Sequence, residues 1–348
     1  MAENTKIEWA NHSFNPWRGC SKVHTGCANC YAEATSKRNE TILGTWGPNG
    51  TRVVAADRAW LEVFKWNASA AKAGRRDRVF CASLADVFED WSGPMLNHEG
   101  EPLYRVSQNG GSPKEYDWSA CPGLGPCWAL TMNDVRRRLF GLIDATPSLD
   151  WLLLTKRPEN VRKYWPSVNV QTQEQADERN ERGELYRRNV WIGTSISDQE
   201  TMETFLPALA FMDDLAPVRF VSAEPLVGPI DFSMRTDGTG SALNAANVNL
   251  VIVGGESGPG ARPCSVEWVR DIVRQCTEAN VACFVKQLGA NVLSRKPFDE
   301  NEWTSRPVKY RYVGDADFIR VEVSDPKAGK PDEWPEDLRV RQMPEVCR

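Results

Sequence analysis

Cys20, Cys27 and Cys30 stand in the run Asn15-Pro-Trp-Arg-Gly-Cys-Ser-Lys-Val-His-Thr-Gly-Cys-Ala-Asn-Cys-Tyr31, spaced C-x6-C-x2-C. Thiolates are soft donors that favour iron–sulfur clusters or zinc over hard cations. Three of them on one short loop can hold three corners of a [4Fe-4S] cluster, leaving the fourth iron to a ligand that is not protein. A structural zinc site is normally closed by a fourth Cys or His, and His24, inside the loop, offers that alternative. Gly19 and Gly26, each just before a cysteine, let the backbone turn tightly around a metal.

The other cysteines carry less. Cys81, Cys264, Cys276 and Cys283 sit in or beside apolar runs and read as buried small residues. Cys121 and Cys127, in Cys121-Pro-Gly-Leu-Gly-Pro-Cys127, are candidates for a second metal with only two ligands in view, and Cys347 has no evident role. A second group of chemically able residues follows directly on apolar runs: Ser83 and Asp86; Thr155, Lys156 and Arg157; Ser195 and Ser197; Ser222 and Glu224; Glu256 and Ser257; Lys286 and Gln287. Ser and Asp at such places also cap helices. Charges placed straight after apolar strands, as in Lys156, Arg157 and Glu224, favour a functional rim.

The elements that must position these groups are legible as well. Val79–Ser83, Trp151–Thr155, Val190–Ser195, Arg219–Ala223, Leu250–Gly254 and Ala282–Lys286 are continuous apolar runs of strand length, and a seventh ends near Phe14. Such runs predict strands buried on both faces of a parallel sheet. Helical patterns lie between them at Cys30–Asn39, Asp134–Ala145, Pro158–Trp165, Thr201–Ala210 and Val266–Glu278. Repeated βα units without a dinucleotide glycine fingerprint predict an α/β fold, a complete or partial (β/α) barrel with loop insertions. The insertions are expected near 41–75, 92–128, 166–189 and 233–249. The barrel is expected over residues 1–290, with 291–348 a C-terminal extension packed on it that contains strand-like pieces at Lys309–Val313 and Phe318–Val323.

With 348 residues and 14 Trp, the chain can bury a large core. It has no stretch apolar enough to span a bilayer and no signal-peptide pattern, so a cytoplasmic protein without membrane attachment is expected. In a reducing compartment, ten cysteines point to metals or buried thiols rather than disulfides. The formal net charge of −5 speaks against a chain coated in basic residues for nucleic acid. Local clusters remain at Arg75, Arg76 and Arg78 and at Arg136–Arg138. Most simply these are solvated faces, and the first group is also a candidate for phosphate contacts beside exposed-looking Trp46 and Trp60.

Several blocks in fixed order carry a resemblance: Thr5–Trp9, Asn15–Cys20, Cys27–Tyr31, Phe80–Phe88, Leu153–Glu159, Val221–Leu226, Ile252–Pro259, Ala261–Pro263 and Lys286–Gly289. From about residue 5 to 290 the chain resembles a phage-associated three-Cys-motif family of radical-SAM-like proteins, a domain of unknown function. Its cysteine loop is three residues longer than the commonest radical-SAM spacing, C-x3-C-x2-C. The resemblance implies a radical-SAM barrel whose metal ligands are Cys20, Cys27 and Cys30, and the cofactors [4Fe-4S] cluster and S-adenosylmethionine (SAM). It also implies a reductase or flavodoxin-type electron donor. On that reading Lys156 or Arg157 would meet the SAM carboxylate, Ser83 its amino group, and Ser195 or Glu224 its ribose. For the substrate it implies a modified thymine in phage DNA, with a glycyl substituent moved from nitrogen to carbon linkage. A peptide or small metabolite is the alternative substrate, and a cluster or zinc scaffold without activity the alternative function.

Overall fold

The computed structural model describes residues 3–106, 118–119, 127–233, 240–296, 301, 303, 309–312 and 317–345. Strands β1 (His12–Phe14), β2 (Asp77–Cys81), β3 (Leu149–Thr155), β4 (Val190–Ile196), β5 (Val218–Ala223), β6 (Leu250–Gly254) and β7 (Ala282–Gln287) lie side by side in chain order. They form a parallel sheet whose edges are β1 and β7, so the expected barrel is a partial one. All seven correspond to the apolar runs of the sequence. β4, β5 and β6 are buried at every residue, as strands covered on both faces must be.

The chain divides into two compact units, residues 1–23, 32–192 and 214–217 in the first and 24–31, 193–213 and 218–348 in the second. In the first, His12 of β1 pairs with Val79 of β2, which pairs with Trp151 of β3. Two helices cover this part. Helix α1 (Asp57–Lys72) buries Trp60, Val63, Trp66 and Ala70, spaced to fall on one face. Helix α2 (Met132–Asp144) starts at a capping box in which Thr131 and Asp134 satisfy each other's backbone N–H.

Helix α1 corrects the expectation of a loop insertion near 41–75, most of whose second half is this helix. Its buried face is only four residues wide over sixteen, and polar or small residues between them mask the period. Trp60 is correspondingly no exposed stacking platform: it is 3% exposed and donates its ring N–H to the Ala55 carbonyl at 3.0 Å.

The arginine clusters are corrected too. Arg75 and Arg76 are paired to Asp77 and Asp150, at 2.8 and 2.7 Å. With Arg78 they flank the N-terminal end of β2, five residues from the end that carries Ser83 and Asp86. At roughly 3.3 Å per residue, that is on the order of 16 Å along the strand, so they do not line the rim. Arg136 is buried and donates to the carbonyls of Val87 and Glu89 at 2.8 and 2.9 Å.

In the second unit, β5 pairs with β6 and β6 with β7, Phe220 opposite Leu250 and Leu250 opposite Ala282. Helices α3 (Gln199–Leu209) and α4 (Val266–Glu278) accompany them. The free edge of β7 is occupied: Val285 N–H bonds to the Val340 carbonyl, and Gln342 N–H to that of Cys283, each at 2.8 Å. The C-terminal segment thereby removes a sticky edge. A separate sheet in this unit orders Cys264–Ser265, Val292–Arg295, Phe318–Glu322 and Lys309–Tyr312 side by side, so both strand-like pieces of the tail are strands.

Segment 166–189 contains the helix Gln173–Arg182, which buries no residue. Cys121 lies outside the described residues, as does the Cys127 side chain, and with them the second-metal reading; Cys347 lies outside them too. No helix among the described residues is long and apolar enough to cross a membrane.

Candidate functional site

In a parallel sheet every strand delivers its C-terminal end to the same edge, and polar groups there are free to meet a ligand. In the first unit, β1, β2 and β3 deliver Asn15, Ser83, Asp86, Thr155, Lys156 and Arg157. Asn15 donates to the Ser83 hydroxyl at 3.1 Å and accepts from the Leu84 N–H at 2.7 Å, tying the loop after β1 to the loop after β2. Asp86 is the hub. One carboxylate oxygen accepts from the Thr155 hydroxyl (2.7 Å) and the Phe88 N–H (3.0 Å); the other accepts from the Lys156 N–H (3.0 Å) and the Arg157 guanidinium (2.9 Å).

Arg157 also donates to the Ser21 carbonyl at 2.7 Å and reaches the Cys20 sulfur at 3.6 Å. It thus holds the first cysteine against the end of β3. Burial alone would lower its pKa, but the charges of Asp86, Cys20 and Glu89 outweigh that and shift it upward, so it stays a cation. Behind it, Arg52 and Glu89 form a fully buried, two-pronged pair with both bonds at 2.7 Å, and Arg52 donates to the Ser21 hydroxyl at 3.0 Å. Burial pushes the Cys20 thiol up to about 12; Glu89 and Asp86 add to this and Arg157 opposes it.

In the second unit, β4 to β7 deliver Ser195, Glu224, Glu256 and Lys286. The Ser195 hydroxyl donates to the Glu224 carbonyl at 2.9 Å, and the Glu224 carboxylate meets the Lys286 ammonium at 2.8 Å. Glu256 holds the segment that carries the other two cysteines. It accepts from the Asn29 side chain at 2.9 Å and pairs with Arg262 at 2.7 Å, and Arg262 donates to the Thr25 carbonyl at 2.9 Å. Burial would raise the Glu256 carboxyl, but the bonds from Arg262 and Asn29 prevail and lower it. Thr25 also donates to Asp198 at 2.9 Å, next to the start of α3.

The residues around Cys27 form a single tight turn, Thr25–Cys27, capped by His24, whose Nδ1 accepts from the Gly26 N–H at 3.0 Å. A β-carbon on Gly26 would lie 2.2 Å from the Ser197 hydroxyl and 2.6 Å from the His24 ring, so only glycine fits. Gly19 is required for a different reason: its φ of +104° lies in the left-handed region.

Cys20, Cys27 and Cys30 are half-buried and form no disulfide. Three accessible soft donors fit an iron–sulfur cluster, and an N–H aimed at Cys20 suits a thiolate better than a thiol. Among the described residues, though, no three or more His, Cys, Asp or Glu side chains stand grouped to hold a metal ion.

Glu89, Arg52, Asn29 and Arg262 are what reasoning from strand ends alone did not single out, whereas Asp86 and Lys286 were among the polar residues that it placed there. Of these four, Asn29 and Arg262 do fall inside the motif blocks that carried the family resemblance. Arg52 and Glu89 had no signal besides charge beside apolar residues.

The model of one family, described as "Protein of unknown function (DUF5131)", matches residues 4–93 and 130–328. No curated protein matches the chain. Among solved structures, a tyrosine-to-phenylalanine variant of spore photoproduct lyase is 11% identical with a TM-score of 0.39, covering 92% of this chain and 71% of that one. A cysteine-to-alanine variant of the same lyase with the dinucleoside spore photoproduct is 12% identical with a TM-score of 0.38, covering 92% and 70%.

Proposed function

The chain belongs to the DUF5131 family, and for this member we propose a radical SAM enzyme. Cys20, Cys27 and Cys30 would each supply one thiolate to a [4Fe-4S] cluster. When bound, the cluster supplies the electron that cleaves SAM, and the chemistry on substrate belongs to the radical released. The observation that carries the reading is the double anchoring of the cysteine loop. Arg157 and Asp86 hold Cys20 at the end of β3, while Glu256, Arg262 and Asn29 hold the turn that leads to Cys30 at the end of β6.

The remaining rim groups would bind SAM. Ser83 and Lys156 offer a hydroxyl and an ammonium to its amino acid part, and Ser195 and Glu224 offer acceptors to its ribose. Arg157, already engaged with Asp86, would act on Cys20 rather than on the carboxylate of SAM. The substrate we propose is a modified thymine in phage DNA, on which abstraction of a glycyl hydrogen starts the shift from nitrogen to carbon linkage. A base inside a duplex is stacked, so it would be extruded or already unpaired. A reductase or flavodoxin-type partner in the bacterial cytoplasm would supply electrons.

Anaerobic reconstitution with iron and sulfide tests this, followed by reduction with SAM and modified DNA and mass spectrometry of the nucleosides. Release of 5′-deoxyadenosine is expected, and a rearranged thymidine. A protein that takes up iron or zinc yet never cleaves SAM would be a scaffold, and the proposal would fail. Turnover of a peptide or free metabolite in place of DNA would keep the radical chemistry and remove the substrate.

A further inference from the structure

Ser197 follows directly on β4 and is fully buried, 0% exposed. Its backbone is engaged on both sides: the N–H donates to the Thr201 hydroxyl at 2.8 Å, and the carbonyl accepts from the Val227 N–H at 2.9 Å. Its side-chain oxygen is not: among the described residues it has no hydrogen-bond partner. A buried polar group left without a partner is costly. The hydroxyl lies against the turn Thr25–Cys27, since a β-carbon on Gly26 would stand 2.2 Å from it. That close approach accounts for a small residue at position 197 but not for a polar one, because alanine would fill the same space without the cost. The carbonyls of His24 and Thr25 are turned instead to the N–H groups of Cys27 and Ala28, at 2.9 and 3.1 Å. Asp198, the next residue, accepts from the Thr25 hydroxyl at 2.9 Å and so ties the end of β4 to the same turn.

We propose that the Ser197 hydroxyl is a donor held for a sulfur of the iron–sulfur cluster, satisfied only when the group assigned to Cys20, Cys27 and Cys30 is bound. The inference rests on that reading of the three cysteines and adds to it a residue outside the ligand set. Hydrogen bonds to the sulfurs of such clusters help set their reduction potential. A donor there favours the more electron-rich, reduced state, so Ser197 would make the site easier to reduce.

The test compares the full chain with Ser197→Ala, both reconstituted anaerobically with iron and sulfide. Iron per chain and thermal melts should be alike, since alanine fills the space. The midpoint potential of the variant, from a dye-mediated titration followed by visible absorption, should fall by about 59 mV, the equivalent of a tenfold loss in the constant for one-electron reduction. After exchange into heavy water, electron–nuclear double resonance on the reduced parent should show an exchangeable deuteron coupled to the cluster that Ser197→Ala lacks. A parent without any such deuteron overturns the proposal before a variant is made. A parent-like potential in Ser197→Ala overturns it as well. So does a folded Ser197→Ala that binds no iron, which would make the hydroxyl a support of the turn and not a donor to sulfur. A parent that takes up only zinc, or no metal, removes this inference and the proposed function together. Where the parent cleaves SAM and the variant keeps its potential, only this inference falls. A lowered potential and a lost deuteron in a protein that never cleaves SAM sink the proposed function and leave the role of Ser197 standing.

Discussion

Arg157 joins two demands at one residue: it neutralises buried carboxylates and it positions a cysteine. Asp86 and Glu89 are buried, and Arg157 sits 2.9 Å from the first and 3.5 Å from the second. Removing one partner of a buried ion pair leaves an uncompensated charge and typically costs about 3–5 kcal/mol. Arg157→Gln should lower the urea midpoint accordingly and reduce the iron bound per chain on reconstitution. Parent-like iron uptake by a folded Arg157→Gln protein would show that the contact with Cys20 does not position it. Glu256 makes a different prediction. Its folded pKa is depressed below the ordinary value of 4.5. The stability it contributes is therefore full above that value and lost as pH falls through the depressed one. Glu256→Gln should be less stable than the parent near neutrality, and the gap should close on acidification below about pH 4. Denaturant melts at several pH values measure it; a gap that does not change with pH would remove the assigned role of the carboxylate.

At the scale of elements, the turn Thr25–Cys27 and helix α1 carry the sharpest expectations. Gly26 is enclosed by Ser197 and the His24 ring. Gly26→Ala should leave the cooperative melt of the chain nearly unchanged while displacing Cys27, seen as a loss of the visible absorption of the reconstituted cluster. Unaltered absorption would place the turn outside the metal site. Helix α1 is a structural element, and its Trp66 is 2% exposed and stacked on His12 at 4.5 Å between ring centres. Trp66→Ala should cost on the order of 3–5 kcal/mol by opening a cavity, read from a denaturant melt. A loss under 1 kcal/mol would mean that the helix packs less firmly than its buried face requires.

For the molecule as a whole, metal and folding should be linked. If Cys20, Cys27 and Cys30 hold one cluster as proposed, the cluster would cross-link residues 20–31 when it binds. A ligand that binds only the ordered state raises apparent stability. Reconstituted protein should melt several degrees above the iron-free form, and residues 20–31 should become resistant to proteolysis. The variant with all three cysteines replaced by Ala should show neither change, and a matching rise in that variant would place the metal elsewhere.

The sequence by itself determined the sheet, because strands buried on both faces must be apolar at nearly every position; Val190–Ile196 and Leu250–Gly254 could scarcely be written otherwise. It also determined the cysteine triplet, whose donor type and spacing are local properties. Only the tertiary structure decided what the charged residues do. Arg76 and Arg157 are alike in a string of letters, yet one pairs at the N-terminal end of a strand with Asp150, far along the chain, and the other at a C-terminal end with Asp86. Helix α1 was hidden for the same reason. Four buried residues in sixteen make a face only when a sheet lies beneath them, and Trp60 looks like a surface platform until its ring N–H is found bonded to the Ala55 carbonyl. Periodicity and donor chemistry are properties of neighbours in sequence, whereas charge pairing and burial depend on neighbours in space.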